Sequence, residues 1–153
     1  MARLVRWWPL RQFMMLGIRT VVARHRVGVA LVPIDDRGRI LLLHHVFHPY
    51  VPWGLPGGWL GRNEAPAACG LRELKEETGL DASLGPVVHM SRVEAPSHLI
   101  VAYLARVQPG AMILGPEIIN AHWFEPDDLP VPLLPFSQEA IQTARRLHEN
   151  GIA

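Results

Sequence analysis

The sequence predicts an α/β or α+β sandwich, in which a sheet of several strands is flanked by two main helices. Runs rich in β-branched and other apolar residues recur along the chain and are typical of strands. Two further segments combine helix-starting and helix-ending residues at helical lengths. The chain has 153 residues, of which 49% are hydrophobic and 19% charged, so its composition is that of one globular domain rather than of a disordered chain.

The first two strands are predicted to form a hairpin. Residues 27–34 are a run rich in β-branched side chains, and residues 40–46 are a second apolar run. Between them, residues 35–38 (Asp-Asp-Arg-Gly) have the composition of a turn. Residues 47–58 are rich in proline, glycine and aromatic side chains and are predicted to form a loop. A short third strand is expected near Trp59.

A helix is predicted after this loop. Asn63 is the expected N-cap, and Pro66 is acceptable in the first turn, where its missing N–H would have had no helical partner. The helix is expected to run to Thr78. It ends at Gly79, which readily adopts the left-handed conformation of a helix stop.

The second half of the chain is predicted to contain three further strands and a final helix. The strands are expected at residues 87–93, 99–107 and 118–124. A proline-rich stretch then leads to Ser137, the expected N-cap of a helix that ends near residue 149, just before an Asn-Gly pair. Neither an internal repeat nor an interdomain linker is evident in the sequence, so these elements are assigned to one domain.

Three glutamates on the first predicted helix are the clearest functional signal. Glu73, Glu76 and Glu77 are spaced i, i+3 and i+4, which places them on one face of a helix. Like charges this close repel one another, and a hard divalent cation such as Mg²⁺ or Mn²⁺ prefers carboxylate oxygens. Taken alone, the cluster would be interpreted more simply as a solvated acidic helix face.

A longer pattern over residues 58–80 favours the metal-binding interpretation. Gly58 is followed by Glu64 after five residues and, after seven more, by Arg72-Glu73-Leu74, Glu76-Glu77 and Gly79-Leu80. This register of nine specified positions resembles the box of the Nudix hydrolase family (MutT-like), with no position missing. The preceding Trp-Gly-Leu-Pro-Gly-Gly of residues 53–58 also resembles the family's usual approach to the box.

The resemblance implies a Nudix-type α/β/α sandwich for residues 26–153, with a mixed β-sheet and a catalytic loop and helix. It implies hydrolysis of a nucleoside diphosphate linked to another moiety, with Mg²⁺ or Mn²⁺ as cofactor. Water attacks one phosphorus, the other phosphate leaves, and the cation offsets the negative charge that develops on the phosphoryl oxygens. The expected partner is a small nucleotide. With a net charge of only +1, nucleic acid is not expected.

The resemblance also assigns roles to individual residues of the box. Glu73, Glu76 and Glu77 are the expected metal ligands. One of the first two is expected to hold the attacking water as general base as well, and the choice between them stays open. Gly58 is expected to offer its backbone carbonyl to a metal, which needs a loop that approaches closely.

Other box residues are expected to support this set. Arg72 belongs to the catalytic helix but faces away from some of the carboxylates by helical phase. It is expected to pair with Glu64 and so tie the loop to the helix, which makes Glu64 a structural residue rather than a ligand. Gly79 is structural as the helix stop.

A further carboxylate from outside the box is common in this family, and two candidates are visible. Glu117 lies just before the predicted strand at 118–124 and is the favoured metal ligand. Glu94, in a predicted loop, is the alternative. His44 and His45 resemble part of a metal cluster, but alternation along a strand points them to opposite faces, so they are left without a role.

The box does not identify the substrate. Pro96 stands sixteen residues after Leu80, a spacing typical of the ADP-ribose branch of the family. ADP-ribose or another nucleoside diphosphate sugar is therefore favoured, with Tyr50 and Trp53 as candidates to stack a base and Arg92 to contact phosphate. The alternatives are a nucleoside triphosphate pyrophosphohydrolase of the pool-cleaning type and a non-catalytic module that senses a nucleotide.

Residues 1–25 are predicted to form a cationic amphipathic segment. Residues 1–34 hold six arginines and no acid, so a total net charge of +1 leaves −5 for the remainder. The segment is expected to pack on the domain or on a second subunit, as in a homodimer. The alternative is a contact with a membrane surface, which suits tryptophan and arginine together. The single cysteine, Cys69, excludes an intrachain disulfide and favours the cytoplasm, with peripheral membrane association left open.

Deletion of residues 1–24 tests the membrane hypothesis. A segment that lies on a membrane surface carries the vesicle affinity of the chain, so its deletion is expected to abolish co-flotation with anionic vesicles. Unchanged flotation of the truncated chain would remove the membrane hypothesis. A change in the number of subunits in solution would favour the contact between subunits.

Overall fold

The computed structural model describes residues 12–14, 17, 25–46, 50–94 and 96–151. The described strands and helices follow one another along the chain: β1 (Arg26–Ile34), β2 (Ile40–His45), β3 (Trp53–Gly54), β4 (Gly57–Trp59), α1 (Pro66–Thr78), β5 (Ala82–Val93), β6 (His98–Val107), β7 (Ile118–Phe124) and α2 (Pro135–Glu149).

Little of the predicted N-terminal segment is described. Residues 12–14 and 17 are helical and exposed, and the predictions for the rest of residues 1–24 lie outside the described residues. No helix within the described ranges is long and apolar enough to cross a membrane.

The described strands form one mixed sheet. Its main path runs β3-β2-β1-β6-β5, while β4 also pairs with β1 and β7 also pairs with β2. Strands β1 and β6 are parallel, and the other pairs are antiparallel. Strand β1 therefore has β2, β4 and β6 as partners and is the centre of the sheet. The predicted mixed sheet is confirmed.

Alternation along the strands divides the core into two layers. On one face of β1, Leu31 is fully buried in the cluster that contains Leu74 of α1. On the other face, Val32 is fully buried in the cluster that contains Ile141 of α2. Each helix thus covers one face of the sheet, as the predicted α/β/α sandwich requires. Helix α1 lies close to β1 because Gly70 has no side chain: a Cβ there would be 2.7 Å from the Leu31 side chain.

The ends of the first helix were predicted with one error. Pro66 occupies the first turn, and Gly79 ends the helix in the left-handed conformation with φ 70°, donating its N–H to the carbonyl of Lys75. The predicted N-cap was wrong, because the N-cap position is Ala65 and no side chain caps it. Asn63 instead lies in the preceding turn with φ 60°, a conformation that asparagine tolerates better than most residues.

The start of the second helix was also predicted wrongly. Helix α2 begins at Pro135, and its N-cap is Leu134, three residues before the predicted N-cap Ser137. Ser137 is buried within the first turn instead. The reason is that the fixed φ of proline suits the first helical position, so the helix starts there without a side-chain cap.

The region predicted as a loop contains two short strands. Within residues 47–58, Trp53–Gly54 pairs with β2, and Gly57 and Gly58 pair with β1 as part of β4. A Cβ on Gly57 would overlap the Val29 carbonyl oxygen, so glycine is needed for this close approach. Strand β4 is the short strand expected near Trp59. Strand β3 was not predicted, because it forms by pairing with β2, which propensity along the chain does not reveal.

Strand β5 is longer than predicted. It begins at Ala82 rather than at residue 87, and its register against β6 shifts between Leu84 and His89. Such irregularities break the two-residue alternation, so the first part of the strand was missed. The remaining strands lie at or within one residue of their predicted bounds.

Truncation of Leu31 tests the two-layer core. Leu31→Ala removes a fully buried side chain between β1 and α1, and we expect a loss of about 2–5 kcal/mol in the free energy of unfolding by urea. Met90→Ala, which truncates a side chain with 66% exposure on β5, should change stability by no more than about 0.5 kcal/mol. Equal effects of the two substitutions would contradict the assignment of Leu31 to the core.

Candidate active site

A cavity of about 670 Å³ opens where α1, strands β3 and β4, the approach to β7 and the start of α2 meet. One wall carries charged groups from helix α1 and the segment before β7: Arg72, Glu73, Glu76, Glu77 and Glu117. Apolar and aromatic side chains also line the cavity, among them Trp53, Leu55, Ile100, Leu134 and Phe136. The structure therefore brings four of the predicted ligand carboxylates to one side of one cavity.

Glu77 is the most buried of these carboxylates. Its side chain is 14% exposed, and its Oε2 accepts a hydrogen bond of 3.0 Å from the backbone N–H of Gly57. The pKa of Glu77 is raised to about 8, chiefly by burial. The negative charges of Glu73, Glu117 and Glu76 contribute to the rise, and the hydrogen bond from the Gly57 N–H opposes it. A bound cation would relieve this penalty by favouring the ionised form.

Arg72 connects the helix to the loop that precedes it. Its Nε and Nη2 donate to the two carboxylate oxygens of Glu64 at 2.8 and 3.1 Å, so the predicted pair is present in bidentate form. These hydrogen bonds, and one from the Gly61 N–H, lower the pKa of Glu64 to about 2. Glu64 thus stays ionised, and its carboxylate accepts hydrogen bonds from Gly61 in the loop and from Arg72 in the helix.

Arg72 also reaches two of the predicted metal ligands. Its Nη1 lies 2.8 Å from Glu73 Oε1 and 3.1 Å from Glu76 Oε2. The expectation that Arg72 faces away from some of the carboxylates was therefore too strict, because its long side chain folds back across the helix surface. The pKa of Arg72 is raised, chiefly by its hydrogen bond to Glu64.

These ion pairs explain the arrangement of the carboxylates. Among the described residues, no three His, Cys, Asp or Glu side chains converge closely enough to enclose a metal ion. Arg72 holds Glu73 and Glu76, while Glu77 is held by the Gly57 N–H. The donor set nevertheless fits a hard divalent cation, since it consists of carboxylate oxygens with one arginine to offset their charge.

Gly58 leaves room for one of these carboxylates. In β4 it pairs with Val29 of β1, and a Cβ built on Gly58 would overlap the carboxylate of Glu73. The missing side chain therefore makes the space in which Glu73 lies beside the loop backbone. This supports a site in which carboxylate and backbone oxygens act together.

Glu117 is the carboxylate from outside the box that reaches the cavity. It lies in the turn just before β7. Its charge contributes to the raised pKa of Glu77, and its backbone carbonyl accepts the N–H of Val46 at 3.0 Å. Glu94, the alternative, lies in the turn between β5 and β6 and does not line this cavity. The geometry therefore favours Glu117.

Comparison with known proteins identifies the family. The family model of the NUDIX domain matches residues 24–147. This chain belongs to the Nudix family. Over 124 residues it is 29% identical to the NAD-capped RNA hydrolase NudC of Escherichia coli O1:K1, an alignment that covers 80% of this chain and 46% of that protein. The Nudix chain thus spans about half the length of the curated relatives it matches.

Solved Nudix structures match the fold as a whole. The MutT NUDIX hydrolase from Burkholderia pseudomallei is 31% identical with a TM-score of 0.66, over 79% of this chain and 98% of that one. An ADP-ribose pyrophosphatase from Streptococcus suis 89-1591 is 26% identical with a TM-score of 0.65, over 83% and 92% of the two chains. A NUDIX hydrolase from Nitrosomonas europaea has a TM-score of 0.73 over 84% and 74% but only 18% identity, and shows the fold alone.

The candidate substrate residues of this Nudix chain do not all reach the cavity. Trp53 lines it and packs edge-on against Phe124, with ring centroids 5.1 Å apart. Tyr50 is 89% exposed and does not line it. Arg92 and Pro96 also lie elsewhere, near the β5–β6 turn, where Arg92 donates to Ser97 and the Pro96 carbonyl contacts the ring of His98 at 2.6 Å.

Several residues that line the cavity had no role in the sequence-based prediction, among them His45, Leu134 and Phe136. His45 Nδ1 lies 3.9 Å from Glu77 Oε1, while His44 packs against Trp53, so the two histidines face opposite sides of β2 as predicted. Leu134 and Phe136 come from the start of α2. The alternation of β2 could have placed His45 beside the box helix, but no sequence signal links α2 to it.

The pH dependence of stability tests the burial of Glu77. The pKa of Glu77 is about 8 in the folded chain, compared with an ordinary value of 4.5. The contribution of its protonation to stability is therefore fully present below pH 4.5 and is lost as the pH rises through 8. Glu77→Gln cannot ionise and keeps an acceptor for the Gly57 N–H. With EDTA present, we expect the free energy of unfolding of the variant, relative to that of the native chain, to increase between pH 5 and pH 9 by on the order of a few kcal/mol. The measurement is urea unfolding at both pH values.

Glu125→Gln provides the matched control for this measurement. Glu125 is exposed, so its substitution should leave the difference in unfolding free energy between pH 5 and pH 9 as it is in the native chain. A Glu77→Gln variant that tracks the native chain at both pH values would contradict the burial described here.

Proposed function

We propose that this chain hydrolyses the diphosphate bond of a nucleoside diphosphate linked to another moiety, with a divalent cation as cofactor. The observation that carries the proposal is that Glu73, Glu76, Glu77 and Glu117 line one cavity together with apolar and aromatic side chains. Such a cavity combines a site for metal and phosphate with a site for an organic group. The Nudix family membership supports the same reaction class.

The residues proposed to hold Mg²⁺ or Mn²⁺ are the three box glutamates, Glu117 and the backbone carbonyl of Gly58. When bound, the cation supplies charge neutralisation for the diphosphate and a lower pKa for a bound water. Binding requires Glu73 and Glu76 to exchange the Arg72 guanidinium for the cation. Arg72 keeps its bidentate pair with Glu64 and so continues to join the loop to the helix.

The reaction adds water across a P–O–P bridge. The water oxygen forms a bond to one phosphorus, the bridging P–O bond breaks, and the leaving phosphate retains the electron pair. The water gives up a proton to a carboxylate base, for which Glu73 and Glu76 are the two candidates. The geometry keeps both candidates, because each lines the cavity and each contacts Arg72.

ADP-ribose or another nucleoside diphosphate sugar is the substrate class we favour. Trp53, Leu134 and Phe136 line the same cavity as the carboxylates and offer apolar surface for a base or a sugar face. Two relatives are named for compounds in which a diphosphate joins two sugar-bearing groups, namely NAD-capped RNA and ADP-ribose. Pro96 does not contribute to this cavity, so its spacing after the box gives only indirect support.

A substrate panel tests the proposal. Product chromatography with Mg²⁺ and separately with Mn²⁺ should include ADP-ribose, other nucleoside diphosphate sugars, nucleoside triphosphates and dinucleoside polyphosphates. We expect turnover of a nucleoside diphosphate sugar, and a loss of at least about 100-fold in kcat/KM with Glu77→Gln, because that change removes a ligand charge.

Two controls keep the outcomes distinct. Unchanged unfolding in urea at pH 5 would show that Glu77→Gln folds, and EDTA should abolish turnover by the native chain. Turnover restricted to triphosphates would favour the pool-cleaning alternative. A folded chain that binds Mn²⁺ but turns over nothing in the panel would favour the nucleotide-sensing alternative, and full activity of Glu77→Gln would contradict the proposed site.

A further inference from the structure

The segment that carries Glu117 is hydrogen-bonded to the C-terminal end of α1, the helix that carries Glu73, Glu76 and Glu77. We call residues 112–117, which lead into β7, the strap. The Ile113 N–H donates to the carbonyl of Thr78 at 2.8 Å, and the Gly115 N–H donates to the carbonyl of Glu77 at 2.9 Å. Carbonyls in the last turn of a helix have no partner within it, so the strap satisfies groups that α1 leaves free.

Gly115 is the point of closest approach between the strap and α1. A Cβ on Gly115 would lie 2.6 Å from the carbonyl oxygen of Glu76 and 3.3 Å from the Cα of Glu77. Both are backbone atoms, so rotation of a side chain cannot relieve the overlap. Any larger residue at position 115 must therefore move the strap away from the helix or distort its last turn.

The path from Gly115 to Glu117 is short and fixed at both ends. The Ile118 N–H donates to the Gly115 carbonyl at 3.1 Å, which closes a tight turn around Pro116 and Glu117. The Glu117 carbonyl in turn accepts the Val46 N–H at 3.0 Å, which joins it to the end of β2. A displacement of Gly115 is therefore passed on to Glu117 rather than absorbed by a flexible linker.

We propose that Gly115 is a positioning residue for metal binding: the absence of a side chain lets the strap close on α1 and sets the distance between the carboxylates of Glu117 and Glu77. The proposal rests on the proposed function, in which both carboxylates hold the cation. Glu77 belongs to the box helix and Glu117 lies forty residues later in the chain. The hydrogen bond from the Gly115 N–H to the Glu77 carbonyl links the strap, two residues before Glu117, to the backbone of Glu77.

Gly110 offers a matched control in the same connection. A Cβ on Gly110 would meet the Leu80 side chain at 3.6 Å, which is an ordinary contact. Gly115→Ala and Gly110→Ala therefore add the same methyl group, with a backbone overlap in one case only. Both substitutions reduce the conformational entropy of the unfolded chain equally, so a difference between the two variants is due to the backbone overlap.

The experiment measures Mn²⁺ binding by calorimetry rather than turnover. We expect Gly115→Ala to weaken Mn²⁺ binding by about tenfold or more, and Gly110→Ala to leave it unchanged. The decisive step is a double-mutant cycle with Glu117→Gln. If Gly115 acts through Glu117, then Gly115→Ala has little further effect on Mn²⁺ affinity once Glu117 is neutral.

A purely structural role makes a different prediction. Loss of helix capping alone would lower thermal stability in both backgrounds and would weaken Mn²⁺ binding equally with and without Glu117, which would overturn the proposal. Unchanged Mn²⁺ affinity in Gly115→Ala would overturn it as well. Absence of Mn²⁺ binding by the native chain would instead count against the proposed function itself.

Pro116→Gly keeps the test available if Gly115→Ala does not fold. It preserves the contact of Gly115 with the helix but frees the backbone between Gly115 and Glu117. We expect it also to weaken Mn²⁺ binding, and only while Glu117 is present. Native affinity in this variant would contradict the rigid link that the proposal requires.

Discussion

The burial of the Glu77 carboxylate beside three other carboxylates is the constraint on which the site depends. Ionised groups lose hydration when buried, and like charges add repulsion, so both effects raise the pKa of Glu77. The fold compensates in part through the Gly57 N–H, which donates to this carboxylate. The remaining penalty is what a divalent cation would relieve, so the features that raise the pKa of Glu77 also favour metal binding.

The central position of β1 makes this arrangement possible. Strand β1 pairs with β4, which places Gly57 and Gly58 beside the glutamates of α1. Strand β2 pairs with β7, which brings Glu117 to the same end of the sheet. Leu31 and Gly70 then seat α1 closely on β1, because the glycine removes the side chain that would hold them apart. Core packing and the positions of the charges are therefore parts of one arrangement.

Arg72 offsets part of the negative charge of this acidic site. Its guanidinium holds Glu64 through two hydrogen bonds and reaches Glu73 and Glu76 with its third nitrogen. The contacts to Glu64 are bidentate, and the pKa of Glu64 is lowered to about 2, so this pair persists across the physiological pH range. The contacts to the other two carboxylates are single hydrogen bonds that a cation can replace. In our proposal the same arginine offsets charge before the metal binds and anchors the loop afterwards.

The sequence by itself determined the acidic helix, its stop at Gly79 and most of the strands, because those features depend on neighbours along the chain. A helix of 3.6 residues per turn places Glu73, Glu76 and Glu77 together whatever surrounds them. Strand β3 was missed because its pairing partner β2 precedes it in the sequence and no local signal marks the pairing.

Only the tertiary structure decided which distant residues meet this helix. It brought Glu117 rather than Glu94 to the cavity, included Trp53 and left out Tyr50, and added Phe136 from α2. A cavity forms where elements remote in sequence pack together, and composition or spacing along one segment carries no information about that packing. The same reason explains why Gly115 stood out only in three dimensions, where its backbone lies against the last turn of the box helix.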